Sequence, residues 1–276
     1  KWIRIREGGN VIFRRDNLAI KLIPQNWSYQ GKAEIQSLGM LTEFLPVETP
    51  HLLHHGVLDG WIYLIISWLP GISLADVWNG MPYENKKIIV GEVGEFLDAL
   101  HQLPISTDTL QLFDWPDYHQ KLINGCFARH KQNQIPEGLL GQVEHYLSLS
   151  SDYFDDGETF LIHMDIHPWN LMAEQRADIY HLSGVLDFGD AVIGSSQLIE
   201  LATPIIFLCQ GDKMLVDLLL ESYGRYQVND QHKFQQNLMA TVLIRPDCNL
   251  NFVMSQVPCS GPRDTWEHVA EQLFPC

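Results

Sequence analysis

The chain has 276 residues, 46% of them apolar, and sets 18 Lys and Arg against 34 Asp and Glu for a formal charge of −16. That balance excludes a disordered chain and a general nucleic-acid binder, because phosphate backbones attract clustered bases, and the length allows one large domain or two modest ones. The longest apolar run, Trp61 to Pro70, is too short to cross a bilayer, so no membrane partner is expected.

The charge is unevenly spread. Residues 1–32 carry seven bases and two acids, whereas residues 141–190 carry ten acids and one base, Arg176. An acidic stretch of that kind suits a cationic partner or a bound metal. The five cysteines form no CxxC pair or regular framework, which fits reduced thiols, and the chain opens on an apparent strand without a signal peptide; both point to the cytoplasm.

In chain order, the opening reads as strand, turn, strand, turn, strand through Ile23. Pro24 to Gly31 reads as a connector, and Ala33 to Leu41 as a short helix with Glu34 on its first turn. Two apolar segments around Asp59-Gly60 form a hairpin, closing a first lobe near residue 68. Leu69-Pro70-Gly71 marks a crossing. The stripe Ile88, Ile89, Val93, Phe96, Leu97, Leu100 then opens a helical lobe, with His101 as a structural residue behind it. Further helices are predicted within 120–150 and over Leu198–Gln210, Lys213–Tyr226 and His232–Ile244, and a short strand over Tyr180–Asp187.

The chemistry concentrates in two strings, His163-Met-Asp165-Ile-His167-Pro-Trp169-Asn170 and Leu186-Asp187-Phe-Gly-Asp190. An Asp followed five residues later by Asn, then after a short strand by Asp-Phe-Gly, suits phosphoryl transfer. One carboxylate orients a hydroxyl while the Asn and the second Asp hold magnesium on nucleotide phosphates. Upstream, Lys21 lies on a strand and Glu34 on the next helix, so the two can pair and clamp those phosphates. Lys21, Glu34, Asp165, Asn170 and Asp187 occur in the order that a two-lobe kinase requires.

These strings resemble the aminoglycoside phosphotransferase family, whose pattern reads HGDLHPGN and IDFGDA, and the resemblance spans nearly the whole chain. It implies an α+β, bilobal, protein-kinase-like fold, with a small antiparallel-sheet nucleotide-binding lobe over 1–68 and a mainly helical catalytic and substrate-binding lobe over 69–276. It implies Asp165 as the catalytic carboxylate, Asn170 and Asp187 as magnesium ligands, and Lys21 with Glu34 at the phosphates of ATP or GTP. Asp190 and Glu200 are supporting residues, Glu200 standing where the family usually has Asp. Met164 and Trp169 each replace a Gly of the pattern. The implied reaction is transfer of the γ-phosphoryl group to a hydroxyl of a small molecule, by preference an amine-bearing one.

Other assignments rest on position. Gly8 and Gly9 form a turn whose amides can cover phosphates, and Trp68 lies where an aromatic can flank a purine. Asp152, Asp155, Asp156, Glu158 and Glu221 are candidates for a cationic acceptor, with Asp230 and Asp247 weaker ones. Two rivals stand beside this reading. A kinase-fold module can bind nucleotide without transferring, and His163, Asp165 and His167 would share one face of a strand and invite a zinc or iron site. In the kinase reading His163 braces the catalytic loop and His167 packs or hydrogen-bonds within it. The sequence leaves monomer or homodimer open.

Overall fold

The computed structural model describes residues 1–5, 10–41, 45–105, 115–150, 154, 157–246, 248–258 and 261–275. The first elements are strands β1 (Ile3–Ile5), β2 (Val11–Arg15) and β3 (Leu18–Ile23), helix α1 (Ser28–Met40), and strands β4 (Leu52–Leu58) and β5 (Trp61–Ser67). The five strands form one antiparallel sheet in the order β1-β2-β3-β5-β4. The β4–β5 turn is made by Asp59 and Gly60, both at positive φ (49° and 82°), as a two-residue hairpin of this hand requires.

Burial along β3 alternates, so Ala19, Lys21 and Ile23 share the inner face. Their register partners on β5 are Ile66, Leu64 and Ile62. Helix α1 covers this face through Gly31, Ala33, Glu34, Ser37 and Leu38. A Cβ at Gly31 would lie 3.0 Å from the Ile62 side chain and 3.2 Å from Ile23, so the missing side chain is what lets the helix approach.

Two sequence expectations need correction here. The helix begins at Ser28, not near Ala33, and Glu34 sits near its middle rather than on its first turn. No side chain caps its N-terminus, so the sequence carried no start signal, and Gly31 read as a connector because helix propensity does not register a packing contact.

The chain continues through β6 (Ile72–Ser73), α2 (Leu74–Val77), α3 (Tyr83–His101), α4 (Trp115–Gln132), α5 (Glu137–Leu140), α6 (Val143–Leu149), β7 (Phe160–Ile162), β8 (Leu171–Arg176), β9 (Ile179–Val185) and β10 (Val192–Gly194). Helices α7 (Gln197–Pro204), α8 (Lys213–Tyr223), α9 (Gln231–Ile244), α10 (Leu250–Ser255) and α11 (Trp266–Leu273) complete it. Strands β6, β8 and β9 form a three-stranded sheet, and β7 pairs with β10.

Two compact units result. One holds Lys1–Glu92, Ala99–Leu112 and Phe160–Ile193; the other holds Val93–Asp98, Phe113–Thr159 and Gly194–Cys276. Residue 68 lies inside the first unit, which takes up the β7–β9 region as well as the five-stranded sheet.

The second unit is helical, and its helix starts follow side-chain chemistry. Ser196, Asp212, Asp230, Asn249 and Thr265 each accept a backbone N–H from the first turn of α7, α8, α9, α10 and α11. Its core is dense: Leu238, Met239, Ala240, Leu243 and Ile244 of α9 are fully buried. His130 is bonded through Nε2 to the Leu243 carbonyl at 2.7 Å. Among the described residues no helix is long and apolar enough to cross a membrane.

Within this unit Gly94 of α3 lies against α8. A Cβ there would meet the Leu219 carbonyl at 2.8 Å and the Tyr223 nitrogen at 2.9 Å, both backbone atoms that cannot swing aside. In an exposed helix Gly→Ala stabilises by up to about 1 kcal/mol, whereas overpacking costs about 1–3 kcal/mol. Gly94→Ala is therefore expected to lower unfolding stability by about 1–3 kcal/mol in chemical denaturation. An increase would show that the two helices separate without cost.

Candidate active site

The first unit brings together the residues of both sequence strings. The β8–β9 hairpin does much of the positioning, because its register pairs Leu171 with Val185. Asn170, just before β8, is thereby set beside Leu186, just after β9, and its carbonyl accepts the Leu186 N–H at 2.8 Å. Asp187 follows immediately. The same hairpin is anchored to the chain after α1, since Val185 donates its N–H to the Glu48 carbonyl at 2.9 Å.

Lys21 reaches from β3 into this corner. Its Nζ lies 2.7 Å from Glu34 Oε2 and 2.7 Å from Asp187 Oδ1. The Lys21 and Glu34 side chains are almost wholly buried, at 3% and 2% exposure, while Asp187 keeps 41% of its side chain exposed. Burial pulls the Lys21 ammonium down, but the Asp187 and Glu34 carboxylates outweigh it and hold the group above its ordinary range. For Asp187 the order reverses: desolvation would raise it, and contact with Lys21 holds it below the usual carboxylate range. For Glu34 burial outweighs the attraction of Lys21, the Asp187 carboxylate adds to it, and the carboxyl is pushed up to about 7.

Asp187 has a left-handed backbone, φ 61° and ψ 73°, and its Oδ1 accepts the Gly189 N–H at 3.4 Å. A non-Gly residue in this region costs on the order of 1–2 kcal/mol and persists only where the surroundings impose it. The Lys21 contact and the backbone tie of the hairpin supply that constraint. Asp190 accepts a hydrogen bond from Gln30 Nε2 at 2.9 Å. Sequence reasoning passed over Gln30; the available signal was its place one helical turn before Glu34, on the same face of α1.

The loop between β7 and β8 is ordered by its own polar groups. His163 is fully buried; its Nε2 donates to the Leu186 carbonyl at 3.0 Å, and its Nδ1 accepts the Asp165 N–H at 3.2 Å. Asn170 Nδ2 donates at 3.0 Å to both the Asp165 carbonyl and Asp165 Oδ2. His167 Nε2 lies 3.1 Å from the same Oδ2. Met164 has φ 72° and is buried at 2% exposure, so a residue type that tolerates left-handed backbone poorly stands where the family pattern has Gly. Burying its side chain, worth about 1.5–3 kcal/mol, is of the size needed to offset the backbone cost of about 1–2 kcal/mol. Trp169, the other replaced Gly, is 51% exposed.

These positions overturn the zinc or iron reading of His163, Asp165 and His167. Strand β7 stops at Ile162, so the three do not share a strand face, and both His163 nitrogens are committed to backbone groups. Among the described residues no cluster of three or more His, Cys, Asp or Glu is arranged to hold a metal. A different donor set does fit a hard cation. With its amide nitrogen tied twice to Asp165, Asn170 keeps Oδ1 as its acceptor, and the half-exposed Asp187 carboxylate has Oδ2 beyond the Lys21 contact. Two oxygen ligands of this kind suit magnesium, which takes its remaining ligands from water and phosphate.

Trp68 is half-buried; its backbone N–H donates to the Asn17 carbonyl at 2.8 Å, and the Arg14 guanidinium lies 4.3 Å from its ring centroid. Glu200, fully buried on α7, belongs to the second unit, as do Glu158 and Glu221. Glu158 pairs with Arg225 at 3.5 Å, and Glu221 is exposed on α8. Asp230 caps α9. Gly8, Gly9, Asp152, Asp155, Asp156 and Asp247 lie outside the described residues. His101 is buried and stacked on Phe160 at 4.1 Å.

The profile of the phosphotransferase enzyme family matches residues 2–197. The chain belongs to that family and is a small-molecule O-phosphotransferase with its kinase-like fold. No curated protein sequence matches it significantly. Among solved structures, it is similar to a GDP complex of a point mutant of aminoglycoside 2′-phosphotransferase-IIIa, with TM-score 0.69, 16% identity, and 93% of this chain and 91% of that one covered. It is similar also to the GDP and kanamycin complex of APH(2″)-IIIa, with TM-score 0.65, 17% identity, and 88% and 83% covered. A third is APH(3″)-Id from Streptomyces rimosus, with TM-score 0.60, 16% identity, and 88% and 92% covered. At these identities the likeness is one of fold.

The Glu34 carboxyl carries a stability consequence. Its folded pKa, about 7, lies above its ordinary 4.5, so its contribution is fully present below pH 4.5 and is lost as pH rises through 7. Glu34→Gln cannot titrate and is expected to flatten the fall in stability between those limits. The check is to measure Tm against pH for both proteins; equal slopes over that window would refute the raised pKa.

Proposed function

We propose that the enzyme transfers the γ-phosphoryl group of magnesium-bound ATP, or GTP, to a hydroxyl of a small amine-bearing molecule. The observation that carries this reading is the Lys21 ammonium held at 2.7 Å from both Glu34 and Asp187, beside a loop in which Asn170 fixes the Asp165 carboxylate. In this reading Lys21 meets the nucleotide phosphates and Glu34 holds the lysine in position. Asn170 and Asp187 are the ligands for magnesium, which would offset negative charge on the phosphate oxygens.

Asp165 accepts the proton of the acceptor hydroxyl as its oxygen bonds to the γ-phosphorus; the bond from that phosphorus to the β,γ-bridging oxygen breaks, and the nucleoside diphosphate leaves. Asn170 and His167 both hold Asp165 Oδ2, so the hydroxyl meets a fixed carboxylate. His163 holds the loop to the segment before Asp187. The division of labour proposed is nucleotide binding in 1–68 and catalysis with substrate binding in 69–276, with Trp68 and the Gly8-Gly9 turn at the nucleotide and Asp190 and Glu200 in support.

Preference for a cationic acceptor is supported by the ten acids within 141–190, including Asp152, Asp155, Asp156 and Glu158, and Glu221 is a further candidate. Structures of similar fold contain kanamycin or streptomycin together with a nucleotide.

The test is a mass-spectrometric screen for a one-phosphoryl gain on aminoglycosides, other amino alcohols, macrolides and hydroxy acids, with ATP or GTP. Asp165→Ala is expected to lower turnover about 10²–10⁴-fold while ATP affinity changes little. Near-normal turnover in that variant would remove Asp165 from the reaction. Nucleotide binding without transfer to any acceptor would favour a binding module instead.

A further inference from the structure

Trp169 is a large apolar side chain left 51% exposed within the 3₁₀ turn Pro168–Asn170, directly between two residues of the proposed site. Pro168 is the buried residue of this turn, and the family pattern manages the same turn with Gly. Its indole meets the His167 ring edge-on, with centroids 5.3 Å apart and planes at 82°. The same imidazole touches Asp165 Oδ2 through Nε2 at 3.1 Å. Asp165, His167 and Trp169 thus form a chain of contacts from the carboxylate to an exposed aromatic surface. A molecule whose hydroxyl sits on Asp165 need only extend past one imidazole to reach the indole.

We infer that Trp169 is a specificity-determining platform on which the ring of a sugar or aminocyclitol acceptor packs. The inference rests on the reading of Asp165 as the group that meets the acceptor hydroxyl. An indole is rigid, presents a flat area at low entropic cost, and has the aromatic face that best attracts an ammonium group. Ring-bearing polyamines satisfy both properties, with C–H groups against the ring and ammonium groups over its face. Acyclic amino alcohols supply the charge without the flat surface, so the platform separates the two kinds of acceptor.

The experiment labels the protein with fluorotryptophan and follows its fluorine NMR spectrum during titration with kanamycin, streptomycin or ethanolamine. The Trp169 signal is assigned by its loss in Trp169→Phe. Kanamycin or streptomycin is expected to shift that signal saturably, and ethanolamine to leave it in place. For whichever ring-bearing probe is phosphorylated, Trp169→Ala is expected to raise the acceptor KM about tenfold and Trp169→Phe to restore most of it, with the KM for ATP within about twofold of the parent.

A Trp169 signal that moves with neither kanamycin nor streptomycin overturns the inference, whether or not phosphate is transferred. An equal shift with ethanolamine overturns the ring assignment. A signal that moves with kanamycin while no probe is phosphorylated upholds the platform and counts against the phosphotransfer reading of Asp165.

Discussion

A buried ammonium organises the first unit. Lys21 occupies an inward position on β3, between Ala19 and Ile23, where alternation demands an apolar side chain. An unpaired charge there would be lost to desolvation, so the fold must deliver carboxylates to it. It does so from two directions: α1 brings Glu34 because Gly31 lets the helix sit close to the sheet, and the end of β9 brings Asp187. The first sheet, its covering helix and a segment more than a hundred residues downstream therefore share one electrostatic requirement. Burial moves the enclosed Glu34 upward despite its contact with Lys21, whereas the same ammonium holds the half-exposed Asp187 downward.

The loop before β8 solves a related problem by other means. Its polar groups are satisfied mainly by backbone: His163 to Leu186 and Asp165, and Asn170 to the Asp165 carbonyl. Such bonds are short-range and geometrically strict, which is how a loop that includes Met164 at φ 72° keeps a single arrangement. The cost of that backbone is met locally by burial of the same residue's side chain rather than by a distant compensation.

Much of this was legible in the sequence. Strand and turn patterning marked three strands through Ile23, Asp59-Gly60 marked the hairpin, and the order of Lys21, Glu34, Asp165, Asn170 and Asp187 identified the residues that the structure gathers. What escaped has physical causes. The start of α1 has no side-chain cap to signal it, and Gly31 is explained by Ile62 and Ile23, residues on two separate strands. The rival metal reading required the alternating His163-Met-Asp165-Ile-His167 string to be a strand, yet the strand stops at Ile162 and residue 164 is left-handed, a fact that no period-two pattern encodes. Gln30 was missed because its segment read as a connector and its partner, Asp190, lies 160 positions away.

The β8–β9 hairpin has a consequence for how such proteins diverge. Asn170 and Asp187 are neighbours because they flank the open end of a strand pair, and the turn at Ala177-Asp178 is remote from both. Residues added in matched pairs near that turn lengthen the hairpin away from Asn170 and Asp187 and leave those two side by side. A single added residue also has a refuge, since the register already shifts between Met172 and Ala173, where Gly184 and Leu182 are the successive partners and Ser183 is passed over. The number of residues separating the two motifs is thus free to drift during evolution, whereas the pairing of the strands beside them is not.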